Sequence, residues 1–126
     1  MGHSQHVVLA LQRSEERQAI SSVLIELPVI VHHVHTGQEA IHIIEDYGCD
    51  LLMMDLQLAD MHAWTMLGKL KEIVDLEHMA ITVFLDVQDV VPIEGVVPIV
   101  RPVAISRIRQ IVRSALSNSA TPTGGG

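Results

Sequence analysis

The chain has 126 residues, 48% of them hydrophobic but only 2% aromatic, and its 15 acids against 8 Lys and Arg give a net charge of −7. That length suits one domain with an aliphatic core, while the acid excess argues against a basic nucleic-acid-binding surface and the apolar content against a disordered chain. Cys49 is the one cysteine, which excludes a disulfide framework and a Cys-cluster zinc site; no run approaches the roughly 20 apolar residues of a membrane span and no signal-peptide pattern opens the chain, so a cytoplasmic domain is expected.

In chain order, residues 1–5 read as a polar lead. His6–Leu11 is an apolar run of strand length, buried on both faces. Ser14 is placed to cap a first helix, with Glu15 and Glu16 favouring its dipole and Ile20, Val23, Leu24 and Leu27 at helical spacing until Pro28 stops it. Val29–Val34 is a second strand. Thr36 caps a second helix with Ala40, Ile41, Ile44 and Tyr47 on one stripe, closed by Gly48. Leu51–Met54 is a third strand, ending at Asp55. Asp60–Val74 is a loop and a third helix carrying Trp64, Leu67, Leu70 and Val74. Ala80–Leu85 and Val96–Val100 are the last strands. Ile105–Leu116 is a closing helix with Ile108, Ile111, Val112 and Leu116 inward. The domain thus spans residues 6–116, and residues 117–126, rich in Ser, Thr, Pro and Gly, have the composition of a flexible linker or tail.

Strands and helices alternate, and the strands are continuous apolar runs, the pattern of a doubly wound α/β sandwich with a parallel sheet. Such folds place their working site at the carboxyl ends of the strands, here just after Leu11, Met54, Leu85 and Val100.

Those places carry a resemblance. Thr36-Gly37-Gln38-Glu39-Ala40-Ile41, Asp50-Leu51-Leu52-Met53-Met54-Asp55, then Met61 and Trp64, and finally Arg101-Pro102-Val103 together resemble the receiver domain of two-component response regulators, over Val7 to Leu116. The resemblance implies a flavodoxin-like sheet of five parallel strands in the order 2-1-3-4-5 with helices on both faces. It makes Asp55 the position that accepts a phosphoryl group from a histidine kinase. It also marks what has changed. The two acids that help hold Mg²⁺ fall on Leu11 and Gln12, the Thr or Ser that follows the phosphoryl group on Leu85, and the switch aromatic on Pro98. Arg101 stands at the phosphate-contact lysine, and Ala59 at a loop position that is often proline. The family's Lys–Pro bond implies a cis bond between Arg101 and Pro102. Only 16 positions separate Leu85 from Arg101, so the fourth helix of the family is expected to be shortened or missing and the dimerisation face it builds reshaped.

These substitutions bear on the chemistry. Transfer of a phosphoryl group to a carboxylate needs cationic stabilisation, which Mg²⁺ ordinarily supplies from a site of carboxylates, water and phosphate oxygens. With Leu11 and Gln12 at the acid positions, Mg²⁺ is poorly provided for, and Asp86 is the one weak candidate for a replacement ligand. Glu15 and Glu16 read as helix-capping acids; for them to substitute for the lost acidic pair would need an unusual turn. Arg101 brings a permanent charge and a planar fork of donors, so an Asp55–Arg101 pair is expected to lock the pocket without metal or phosphate.

His32, His33 and His35 cluster, and period two puts His33 and His35 on one face, but a solvated strand end explains them without a metal. Met53, Met54, Met61 and Met66 read as core, and Cys49 as an inert, half-buried thiol. No nucleophile–base–orienter set is present, so no enzyme and no cofactor are expected. The expectation is an atypical receiver domain of a response regulator or hybrid kinase, a signalling interaction module with impaired or absent phosphorylation at Asp55. Its partners are a histidine kinase or a fused output domain, a homodimer being open, with no direct binding of nucleic acid or membrane. One alternative keeps Asp55 as a working acceptor that regulates a transcriptional output. Another is a pocket repurposed for a small ligand such as a nucleotide.

Overall fold

A computed structural model describes residues 4–86 and 95–120, with side chains as far as Ser117. Five strands, β1 (Gln5–Ala10), β2 (Val29–His33), β3 (Leu51–Asp55), β4 (Ala80–Leu85) and β5 (Val96–Val100), pair in parallel in the order 2-1-3-4-5. Among the described residues four helices, α1 (Ser14–Leu24), α2 (Gly37–Tyr47), α3 (Ala63–Leu70) and α4 (Ile105–Ala120), join or follow them, and a short 3₁₀ turn at Leu76–His78 precedes β4. The doubly wound sandwich and its strand order are as expected. The stretch in which a shortened fourth helix is expected, 86–94, lies outside the described residues apart from Asp86.

Alternation along each strand splits the apolar residues between two cores. Val8, Ala10, Leu52, Met54, Val83 and Leu85 face the α2–α3 side. Val7, Leu9, Leu51, Met53 and Phe84 face the α1–α4 side, where Ile20, Leu24, Ile108 and Val112 cover them. Every residue of β3 is buried, as the central strand of a covered sheet requires. With no large aromatics to spare, Leu, Ile, Val and Met do the filling, and the Met53, Met54 and Met66 side chains are fully buried.

The helix ends depart from expectation for local reasons. Arg13, not Ser14, is the N-cap of α1, with no side-chain cap bond, and Ser14 is the first helical residue. The same helix stops at Leu24 rather than Leu27. The chain needs a tight turn to enter β2 through Pro28, and the Glu26 and Leu27 N–H groups turn back onto Val23 and Leu24 carbonyls. Helix α3 is eight residues and ends at Leu70, its N-cap His62 accepting the Trp64 N–H at Nδ1. Helix α4 runs four residues past Leu116, to Ala120. Tyr47 is 58% exposed and does not share the buried stripe of Ala40, Ile41 and Ile44.

Helix α2 begins as its sequence dictates. The Thr36 hydroxyl accepts the Glu39 N–H while the Glu39 carboxylate accepts the Thr36 N–H, a reciprocal capping box. Gly37 opens the helix directly against the β3–α3 loop: a Cβ there would meet the Met61 side chain at 2.8 Å. At the other end Gly48 takes a φ of 80°, open to glycine without strain.

Candidate functional site at the carboxyl edge of the sheet

Three chain segments leaving the carboxyl edge of the sheet, those after β1, β3 and β5, meet at one carboxylate. Asp55 closes β3 and is 6% exposed. Its Oδ2 accepts the Gln12 backbone N–H at 2.6 Å, and its Oδ1 accepts a hydrogen bond from Arg101 Nη2. Arg101 follows β5. Its Nε and Nη2 also donate to Glu16 Oε2 and Oε1, at 2.6 and 2.9 Å, so that one guanidinium spans two carboxylates from different elements. The same guanidinium lies 5.7 Å from the centre of the buried Phe84 ring, within the range at which a π face attracts a cation. Its backbone is held too: the Arg101 N–H donates to the Leu85 carbonyl at 2.9 Å, and the Arg101–Pro102 bond is cis.

At the rim, Asp86 Oδ1 stands 3.9 Å from Arg101 Nη1 and 3.7 Å from Arg13 Nη2. A cavity of about 330 Å³ opens between Gln12, Arg13, Asp55, Gln57, Asp86 and Arg101. Its far wall is the β3–α3 loop, which Asp60 clips to the start of α2 by accepting the Gly37 and Gln38 N–H groups at 2.7 and 3.1 Å. Those two bonds, Gly37 first, hold the Asp60 carboxyl below its ordinary range.

The electrostatics follow from burial and from this arrangement. Burial pushes the Asp55 carboxyl above the usual carboxylate range; the Gln12 N–H and the Arg101 charge pull it back, and the Glu16 carboxylate adds to the upward push. Burial works against the Arg101 charge as well, yet hydrogen bonding and attraction, from Glu16 first and then Asp55, more than offset it and raise its pKa. The guanidinium is therefore charged at any pH at which the chain is folded.

Of the residues expected at this edge, the structure brings Asp55, Arg101 and Asp86 together and takes two others away. Leu11 is fully buried in the α1–α4 core, its carbonyl capped by Arg17 Nη1 at 2.8 Å. Leu85 is buried in the opposite core. Gln12 does reach the pocket, but through its backbone; its side-chain Nε2 donates to the His35 carbonyl at 3.0 Å and ties the β1–α1 and β2–α2 loops together. Pro98 is exposed on β5, in register with Val83.

Glu16 is the correction. Read from sequence as a helix-capping acid, it is one of the two carboxylates on Arg101 and only 16% exposed. It sits four residues after Gln12, one turn beyond the loop, and that spacing is the signal that brings it over the pocket. Phe84 under the guanidinium was likewise not expected. His35 lies beyond β2, which ends at His33, and its N–H donates to Glu39 Oε1 at 2.8 Å.

The residues do not fit Mg²⁺. An octahedral oxygen site needs carboxylates free to face a cation, whereas Asp55 and Glu16 both bind the guanidinium and Asp86 Oδ1 faces two arginines. Among the described residues no group of three His, Cys, Asp or Glu is disposed to hold a metal ion, and no helix is long and apolar enough to cross a membrane.

No family model matches the sequence, and no curated protein matches it. Solved structures do match. A response regulator receiver domain protein from Bacillus halodurans is 19% identical with a TM-score of 0.74, the match covering 90% of this chain and 97% of that one. The signal receiver domain of an HD domain-containing protein from Pseudomonas fluorescens gives 16% identity and a TM-score of 0.77 over 93% and 98% of the two chains. The receiver domain of a sensor histidine kinase from Pseudomonas aeruginosa, solved with a magnesium ion coordinated in its active site cleft, gives 14% and 0.75 over 91% and 99%. The likeness is one of fold, and the fold of this chain is that of the receiver domain.

Proposed function

We propose that the chain is an atypical receiver domain in two-component signalling that works as a protein-interaction module, its pocket held in one state by Arg101 rather than by Mg²⁺ and a phosphoryl group. The observation that carries this reading is the guanidinium shared between Asp55 and Glu16. It places a permanent cation against the carboxylate that would otherwise accept phosphate. It also engages Glu16, the acid that a metal would otherwise need in place of the ligands missing at Leu11 and Gln12. Leu85 offers no hydroxyl and Pro98 no aromatic ring that could change rotamer to report a phosphoryl group, which supports a module without that switch. The partners proposed are a histidine kinase or an output domain joined through the tail, in the cytoplasm, with a second copy of the chain as a further partner.

Intact mass after incubation with a small phosphodonor and Mg²⁺ tests the proposal. No stoichiometric gain is expected. A full phosphoryl gain that disappears in Asp55→Asn would overturn the locked pocket and favour a working acceptor, with control of transcription as its output. The third reading, a small-ligand pocket, has the 330 Å³ cavity in its favour. Thermal stabilisation by nucleotides or other small anions, lost in Arg101→Met, would support it over the locked pocket.

A further inference from the structure

Away from the pocket, on the α2 face of the sheet, two histidines meet across neighbouring strands. His6 on β1 lies opposite Ile30 and His32 on β2 opposite Val8, so the two are diagonal neighbours on one face. His6 Nδ1 and His32 Nε2 are 3.0 Å apart, and the rings are within 16° of parallel. Tyr47, the last residue of α2, stacks on both, with ring centres at 5.9 Å from His6 and 5.4 Å from His32. The backbone beneath is fixed: the His6 N–H donates to Asp50 Oδ2, and the His6 carbonyl accepts the Asp50 N–H, both at 2.8 Å.

Two nitrogens that face each other at this distance have room for one hydrogen. A neutral imidazole carries one N–H and one lone pair, so in the neutral pair one ring donates and the other accepts. One added proton goes to an outward nitrogen and leaves the bridging hydrogen in place, now in a charge-assisted bond. A second added proton has to enter between the rings, where no lone pair is left to accept, and it sets two like charges side by side. The Tyr47 π face and the carboxyl end of α2 both favour a single positive charge here. Titratable groups near this corner include Asp46 in the last turn of α2, and Cys49 and Asp50 from the segment entering β3. Burial pushes the Cys49 thiol up to about 12, so it stays neutral, and Asp50 Oδ2 is on the His6 backbone.

We propose that His6 and His32 form a single-proton latch: the pair keeps its bridging hydrogen bond through the first added proton and loses it on the second, releasing edge strand β2 and the end of α2 in acid. This site is independent of the strand-end pocket and of the signalling role assigned to it.

A histidine-resolved NMR titration of the whole chain from pH 8 to pH 4.5 tests the latch. His6 and His32 are expected to report the same two steps, separated by about one pH unit or more. In either single variant, His32→Asn or His6→Asn, the remaining partner should titrate in one step. Amide exchange at Ile30–His32, corrected for its intrinsic pH dependence, should accelerate at least tenfold across the second step. Independent one-step titrations in the wild-type chain, indifferent to loss of the partner, would overturn the latch. Exchange at β2 that stays flat across the second step would overturn the release.

Discussion

The strand-end pocket and the histidine corner solve the same problem with different chemistry. Each brings polar groups to about 3 Å inside a largely aliphatic fold, where unpaired polar groups are costly. In the pocket, charges of opposite sign meet, and the Arg101 guanidinium serves Asp55 and Glu16 together. At the corner, two like groups meet and a hydrogen between them removes the conflict. The pocket is thus held by a cation that keeps its charge, and the corner by a single hydrogen between two rings. The difference teaches that one guanidinium shared by two carboxylates ties the ends of β3 and β5 to the first turn of α1.

The largest expected effect breaks the pocket at its centre. Arg101→Met leaves two poorly exposed carboxylates without a cation, and removing one member of a buried ion pair costs about 3–5 kcal/mol. Urea unfolding at pH 7 should show this as a lower midpoint with an unchanged slope. Asp55→Asn provides the contrast. Burial already pushes that carboxyl up, and Glu16 still holds Arg101, so the loss should stay within about 1 kcal/mol of wild type. If the two variants are equally damaged, the guanidinium is not the keystone of this network.

Glu16→Gln comes next. It keeps one acceptor for Arg101 but gives up the charge, and hydrogen bonds between charged groups are worth more than neutral ones by about 1–2 kcal/mol. The expected outcome is a lower urea midpoint, together with weaker dependence on added salt than in wild type. An unchanged midpoint would reduce Glu16 to the role of a helix-capping acid.

How much of this was legible in the sequence depended on how far apart the partners lie and what fixes their meeting. The five strands and their two-faced burial followed from apolar runs such as Leu51–Met54, because a covered central strand leaves no other pattern. Asp55 and Arg101 were legible as neighbours because both end strands, and a parallel sheet gathers its strand ends along one edge. Glu16 was hidden because an acid in a helix's first turn already has a reason to be there. His6 and His32 were hidden more deeply. Their contact needs the register in which Val8 faces His32, and nothing short of the paired strands supplies it; His33 and His35, two apart in sequence, drew the eye instead. Tyr47 shows the same limit, since helical spacing grouped it with Ile44 while the edge of the sheet left it in the open over two imidazoles.

A smaller effect sharpens the comparison from the helix side. Thr36→Ala removes one half of the capping box at α2 and should cost about 1 kcal/mol, read as a drop in thermal midpoint. The same helix carries Tyr47 at its far end, so the variant also asks whether the histidine corner depends on α2 as a rigid support. An unchanged two-step histidine titration in this variant would show that the β1–β2 register alone positions the pair.

The smallest effect at neutral pH, and the most specific, concerns the acid limb of stability. His32 is held below its ordinary value of 6.5, first because burial disfavours its charged form and second because His6 faces it. A depressed folded-state pKa means that the unfolded chain takes up the proton before the folded one does. The stabilising contribution is therefore complete above about pH 6.5 and is lost as the pH falls towards the folded-state value. Carboxylates titrate over the lower part of the same range, so the quantity to measure is a difference: urea midpoints at pH 7.5, 6.5 and 5.5 for wild type and for His32→Asn. The wild-type midpoint should fall more steeply over this interval, and the two curves should draw together as the pH drops. Parallel curves would mean that the His32 charge costs the fold nothing. The histidine corner would then be as indifferent to pH as the guanidinium in the pocket.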